Sequence, residues 1–180
     1  RRLYATGAPS AELATHPARG VRLAAVVALR RLQDPGVARF LDDADPLVVI
    51  EAAGAINDEG GIVAALPALA RVLERAGTSS APLERRALSA NLRVGDAAAV
   101  ARVAAYARRA GLPEPLRVEA IATLGVWAAP SNMDRVDGSW IAPLPQREAS
   151  AAQAAITELA SLMTDPAATP AVRIAWIEAV

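Results

Sequence analysis

The stretch that decides the fold is "DPLVVIEAAGAI", residues 45–56. Asp45 can accept a hydrogen bond from a free backbone N–H at a helix start, and Pro46 lacks the N–H that would otherwise go unpaired there. Val48, Ala52, Ala53, Ala55 and Ile56 then follow with helical spacing. The same signal stands at Asp34-Pro35, Asp165-Pro166 and Thr169-Pro170, each of which predicts a helix start. Gly60-Gly61, Gly77, Gly95 and Gly111 fall where helices should end. No run alternates with period two, so the chain reads as all-α.

Working outward, related patterns recur. "VRLAAVVAL" (21–29), "LRVEAIATL" (116–124) and "VRIAWIEAV" (172–180) repeat the arrangement, and "LERRALSANL" (83–92) follows it more loosely. The helices predicted from these marks form pairs: 10–15 with 17–32, 35–42 with 46–57, 62–76 with 82–93, 96–110 with 114–127, and 148–164 with 169–180. Second members starting at 21, 48, 83, 116 and 172 are 27, 35, 33 and 56 residues apart. A period of that size means stacked helical hairpins that bury their apolar faces against neighbours. The pattern D-P-x-V-[R]-x-x-A-A-x-A-[LI] resembles HEAT repeats, although Val49 stands where its arginine would be. Tetratricopeptide repeats keep a strict 34-residue period and a Trp/Gly/Tyr signature that is missing here. The expectation is one domain over 1–180, an α-solenoid of about five HEAT-like hairpins with a non-helical hook loop at about 129–147.

Composition agrees. Hydrophobic residues make up 53% of the 180 and aromatics only 3%, with alanine alone supplying 45. Alanine is the best helix former and lets helices approach closely. Nineteen arginines balance nineteen acids and lysine is absent. A zero net charge counts against a dedicated nucleic-acid binder. No apolar run nears the ~18 residues of a membrane span. The opening "RRLYATG" and the closing "VRIAWIEAV" both look cut, which suggests a fragment of a larger multidomain protein.

The inventory of reactive groups argues against catalysis. Without cysteine there is no thiolate metal site and no C-x-x-C-H haem attachment in this chain. His16 is the single histidine, in "THPARG", and reads as a capping or surface residue. Asp42, Asp43 and Asp45, with Asp58 and Glu59, lack the ligand order of a calcium loop and read as caps and solvated turn acids. No serine lies in G-x-S-x-G, and a G-x-x-x-x-G-K phosphate loop is impossible without lysine. The chain therefore predicts no catalytic residue, no metal ligand and no cofactor ligand.

Arginine is the remaining candidate. Arg22, Arg85, Arg86, Arg117 and Arg173 all lie on second helices. Two readings stand: contacts to a phosphate-bearing or acidic partner through the planar guanidinium, or a ladder tying adjacent repeats through acids such as Asp45 and Asp165. The doublets Arg30-Arg31 and Arg108-Arg109 sit near helix C-termini, where cations favour the dipole.

A more specific likeness covers about two-thirds of the chain. "ALRRLQDPGVARFLDDADPLVVIEAAGAINDEGGIVAALPALARVL", "SANLRVGDAAAVARVAAYA" and "LRVEAIATLGVWAAPSNMDRVDGSWIAPLP" resemble the HEAT segment of the large secreted haem-binding CxxCH proteins, the PVC-type family of planctomycetes and relatives. The most specific parts are "EAAGAIND" and "DRVDGSW…PLP". Such proteins typically join a propeller, similar to sugar dehydrogenases that use pyrroloquinoline quinone, to helical repeats and a cytochrome c-like domain. The resemblance implies a periplasmic or extracellular spacer that docks protein domains or subunits of a redox assembly, with haem c held elsewhere in the parent protein. Competing readings are a nucleic-acid-binding HEAT module, as in HEAT-like DNA glycosylases, and a HEAT-like lyase or other small-molecule enzyme.

The hook loop is the last expectation. Gly138 should permit a tight turn, Trp140 and Ile141 should fold back over apolar helix edges near Trp127, and Arg135 should bond backbone carbonyls or a neighbouring acid.

Overall fold

A computed structural model describes residues 10–75 and 80–180. Among the described residues the regular structure is helical, and no strand is formed beyond one antiparallel bridge, Met133 with Trp140. The protein is all-α.

The helices are α1 (Ser10–Ala14), α2 (Arg19–Leu32), α3 (Pro46–Asn57), α4 (Leu66–Ala70), α5 (Ala81–Val94), α6 (Ala97–Ala107), α7 (Glu114–Gly125), α8 (Ser150–Glu158) and α9 (Pro170–Ala179). Five of them make one row in which each packs on the next: α2 on α3, α3 on α5, α5 on α7 and α7 on α9. A second row runs alongside. It comprises α1, the 3₁₀ segment Pro35–Asp42, the segment around α4, then α6, then α8 with its 3₁₀ extension Leu159–Met163. Each member of this row also packs on a helix of the first, as the 3₁₀ segment does on α3, α4 on α5 and α6 on α7.

The apolar residues form one continuous cluster from Ala25 to Ala175. Its largest fully buried side chains include Phe40, Leu41, Ile56, Leu69, Leu88, Tyr106, Ile121 and Leu159. Between them the seams are alanine: Ala52 and Ala53 of α3, and Ala87 and Ala90 of α5, have no exposed surface. Small residues let neighbouring axes come close, which is how a chain so poor in aromatics still fills its interior. α7 and α9 come close at Gly125, where an added Cβ would lie 3.0 Å from Cα and Cβ of Ala179.

The sequence marks mostly hold, with four corrections. First, residues 35–42 form a 3₁₀ rather than an α-helix. Eight residues between two Asp-Pro breaks give too few i→i−4 bonds to offset α-helix nucleation, and the tighter coil still buries Val37, Phe40 and Leu41. Second, the helix expected at 62–76 is a short α4 between the 3₁₀ turns Val63–Ala65 and Arg71–Glu74, because Pro67 admits a helix only near its start. Third, the helix expected at 148–164 starts at Ser150 and changes to 3₁₀ at Leu159. Fourth, Asp165-Pro166 starts no helix. Asp165 instead accepts the Ala167 amide in a turn at 2.8 Å, and α9 starts one signal later, with the Thr169 hydroxyl accepting from Val172 N at 3.4 Å. The caps at Asp34 and Asp45 stand as expected, accepting from Gly36 N at 2.8 Å and Leu47 N at 3.0 Å. Gly95 ends α5 with φ 71°. Gly77 lies outside the described residues.

Candidate functional site

The richest polar assembly is built where the chain leaves α7. Residues 131–141 form a hairpin closed by Asp134 N to Ser139 O at 2.8 Å and Ile141 N to Asn132 O at 2.8 Å. Gly138 turns it with φ 71°, the left-handed region that glycine enters without strain. Asp134 sits at its centre, only 4% exposed. Its carboxylate accepts from Val136 N at 2.8 Å and Asp137 N at 3.3 Å inside the hairpin. From outside it accepts from Ser89 Oγ of α5 at 2.7 Å and from Asn57 Nδ2 of α3 at 3.3 Å to each oxygen.

Asp137 makes a second tie, accepting Glu59 N at 2.8 Å and Ser139 N at 2.8 Å. Partial burial opposes ionisation of Asp137, but Ser139, the Glu59 amide and the charge of Arg86 outweigh it and hold the carboxyl below its ordinary range. Arg93 of α5 closes the assembly from beneath, donating to Asn57 O at 3.0 Å and Gly60 O at 2.8 Å. These are carbonyls at the end of α3, where a cation also complements the helix dipole. Burial lowers the pKa of Arg93, with the Asp134 and Asp137 charges working against that. Beneath the hairpin is a cavity of about 40 Å³ whose walls include Ser89, Arg93, Asp134 and Ile141. That is room for a few waters and no larger ligand.

The hook residues divide. Arg135 grips Glu119 of α7 with both ends of its guanidinium, at 2.7 and 3.2 Å. Ile141 is buried at 5% exposure. Trp140 is the correction: it does not fold back but stands 64% exposed, beside Met133 at 50% across the bridge. Neighbouring side chains in an extended segment point to opposite faces. Burying Ile141 therefore turns Trp140 outward. The aromatic that is buried here is Trp127, and Arg147 lies over its ring 5.4 Å from the centroid. Arg147 also donates to Leu92 O at 2.5 Å.

The five arginines also divide. Arg22 forms a bidentate pair with Asp43, at 2.6 and 3.1 Å, and Arg86 does the same with Asp58, at 2.9 and 2.7 Å. The Asp43 side chain is only 3% exposed, which alone would raise its pKa, yet hydrogen bonds from Arg22 and the Asp45 amide bring it below the usual carboxylate range. Arg117 and Arg173 donate to backbone carbonyls instead, Arg109 O at 2.6 Å and Asp165 O at 3.2 Å. Arg85 is exposed. The acids named for a ladder are thus corrected. Asp45 pairs with Arg19 at 3.4 Å and Asp165 offers its main chain, while the inter-pair ties run through Asp43 and Asp58.

The remaining candidates fall to local roles. His16 Nδ1 accepts Ala18 N at 3.1 Å in the turn before α2. Asp42 pairs with Arg75 and Glu59 with Arg30. Among the described residues, no group of three or more His, Asp or Glu is arranged to hold a metal, and no helix is long and apolar enough to cross a membrane. A groove of about 250 Å³ between α6 and α8 is walled largely by alanine, including Ala97, Ala101, Ala151 and Ala154, with Arg108 paired to Glu158 beside it.

Sequence reasoning missed Asp134, Asn57, Ser89 and Arg93. A usable signal existed, since Asn57, Ser89 and Asn91 are polar residues at positions the helical spacing assigns to the interior. Buried polar groups require partners. The two most specific sequence markers, "EAAGAIND" and "DRVDGSW", meet here through Asn57–Asp134, and Asp137 takes the amide of Glu59 just past the first marker. No protein-family model matches the chain, and neither a curated protein nor a solved structure matches it.

Proposed function

We propose that this chain is a non-catalytic scaffold, a solenoid of the HEAT kind that holds protein domains or subunits at fixed separation. The observation that carries this reading is how the chain uses its polar side chains. Asp43, Asp58, Asp134, Arg22, Arg86 and Arg93 are all engaged in ties between one helical segment and another. Groups held this way stiffen an array, and none converges on a pocket of substrate size. Stacked pairs in two rows make an elongated surface suited to docking.

The finer reading is a spacer within a secreted, haem-containing dehydrogenase-like protein, placed in the periplasm or outside the cell, with haem c bound by a neighbouring domain. Its support is the resemblance of the two markers that meet at the hairpin. The reading frame on either side of this segment tests it: a downstream C-x-x-C-H and an upstream propeller are expected, and flanks with neither would leave a generic scaffold. Titration with duplex DNA at low salt separates the scaffold from a nucleic-acid module. No binding is expected, whereas salt-sensitive affinity would overturn the scaffold reading.

A further inference from the structure

The hairpin does more than fill the gap between α7 and α8. In a stacked array each pair touches its neighbours, so stability is approximately a sum of local and nearest-neighbour contributions and the two ends can open separately. The hairpin follows α7 in the chain, yet it reaches back to the end of α3, 77 residues earlier, through Asn57 and Asp134. In passing it takes Ser89 of α5 and Glu119 of α7. One small, internally bonded turn therefore holds three successive helices of the same row.

We propose that residues 131–141 are a clasp that couples helical pairs which are not sequential neighbours, so that the N-terminal and C-terminal parts of the array unfold as one unit. The anchors suit that role. Asp134 is buried and takes four donor groups: Val136 N and Asp137 N hold it within the hairpin, while Ser89 Oγ of α5 and Asn57 Nδ2 of α3 lie on other chain segments, which must separate from it if either end opens. Asp137 and Arg93 both fasten the turn just after α3, through the Glu59 amide and the Gly60 carbonyl. This inference concerns how the array behaves mechanically and stands whatever the scaffold docks.

The positions of the tryptophans make it testable. All three, Trp127, Trp140 and Trp176, lie beyond α7, so their fluorescence reports the C-terminal part, while far-UV circular dichroism sums every helix. Urea unfolding is followed by both signals in a Trp140→Ala background, leaving Trp127 and Trp176 as reporters. The two curves should coincide in that parent. Adding Asp134→Ala should split them, with a dichroism phase at lower urea that fluorescence does not follow. Curves that already differ in the parent, or that stay coincident after Asp134→Ala, would overturn the clasp. If Asp134→Ala does not fold, Asp137→Ala, at a more exposed anchor, decides the matter by hydrogen exchange in the native state. Amides of α2 and of the first turns of α3, remote from the lost bond, should exchange at least about tenfold faster. Acceleration confined to the hairpin and Glu59 would mean local stapling only and would sink the idea.

Discussion

Asn57 ends α3 by donating its side-chain amide to both oxygens of Asp134, a buried carboxylate that follows it by 77 residues. That pair places an irregular loop under the same constraint as the helices, and it sets the role of each side chain nearby. Ile141 is inside because Asp134 is anchored, and Trp140 is outside because Ile141 is inside.

The two tryptophans around this loop should therefore respond oppositely to truncation. Trp140→Ala removes a side chain that is 64% exposed and should change the unfolding free energy little, by less than about 0.5 kcal/mol. Trp127→Ala empties a buried site beneath Arg147 and should cost roughly 3–5 kcal/mol. Chemical denaturation of both variants checks this, and a large loss at Trp140 would mean that it is covered in solution.

Asp43 supplies a prediction about pH. Its pKa is lowered on folding, so its contribution to stability is complete above the unfolded value and disappears as pH falls through the folded one. Asp43→Asn should accordingly be less stable than the parent at neutral pH, and the difference should shrink once pH drops below about 4. Asp137 shifts in the same direction and should add to the same acid limb. Thermal melts across that range would reveal a gap that fails to close.

Two glycines separate backbone strain from steric conflict. Gly95 and Gly111 both have positive φ, at 71° and 69°. An added Cβ at Gly111 meets nothing within 4 Å, whereas at Gly95 it would sit 2.2 Å from Nη1 of Arg147. Gly111→Ala should cost only the left-handed penalty, roughly 1–2 kcal/mol. Gly95→Ala should cost more, because Arg147 must also leave Trp127 and the Leu92 carbonyl. Equal losses in denaturation would show that Arg147 yields freely.

The close crossing of α7 and α9 is a fourth test. Gly125→Val would press its side chain onto Ala179 and should destabilise the array by about 1–3 kcal/mol. Trp176 donates its indole N–H to Ile156 O at 2.8 Å, so its emission should report the displacement of α9. Unchanged emission and stability would mean that Ala179 leaves room for a side chain at position 125.

The sequence by itself determined the class of structure, since helical periodicity and Asp/Thr-Pro caps are local properties of the chain. It placed α2, α3, α5, α7 and α9 within a few residues and marked the loop near 129–147 as the irregular element. It also marked Arg135 and Gly138 for parts they play. Only the tertiary structure decided which polar groups matter. Local sequence cannot tell that Asn57 faces Asp134 across 77 residues, or that Arg22 chooses Asp43 over Asp45. Nor could it say which of two adjacent apolar residues, Trp140 or Ile141, goes inside, because that depends on which hairpin face the anchored carboxylate turns toward the helices. Choices of this kind are set by where a buried charge can find its donors, and those donors are brought together only by the packing of the rows.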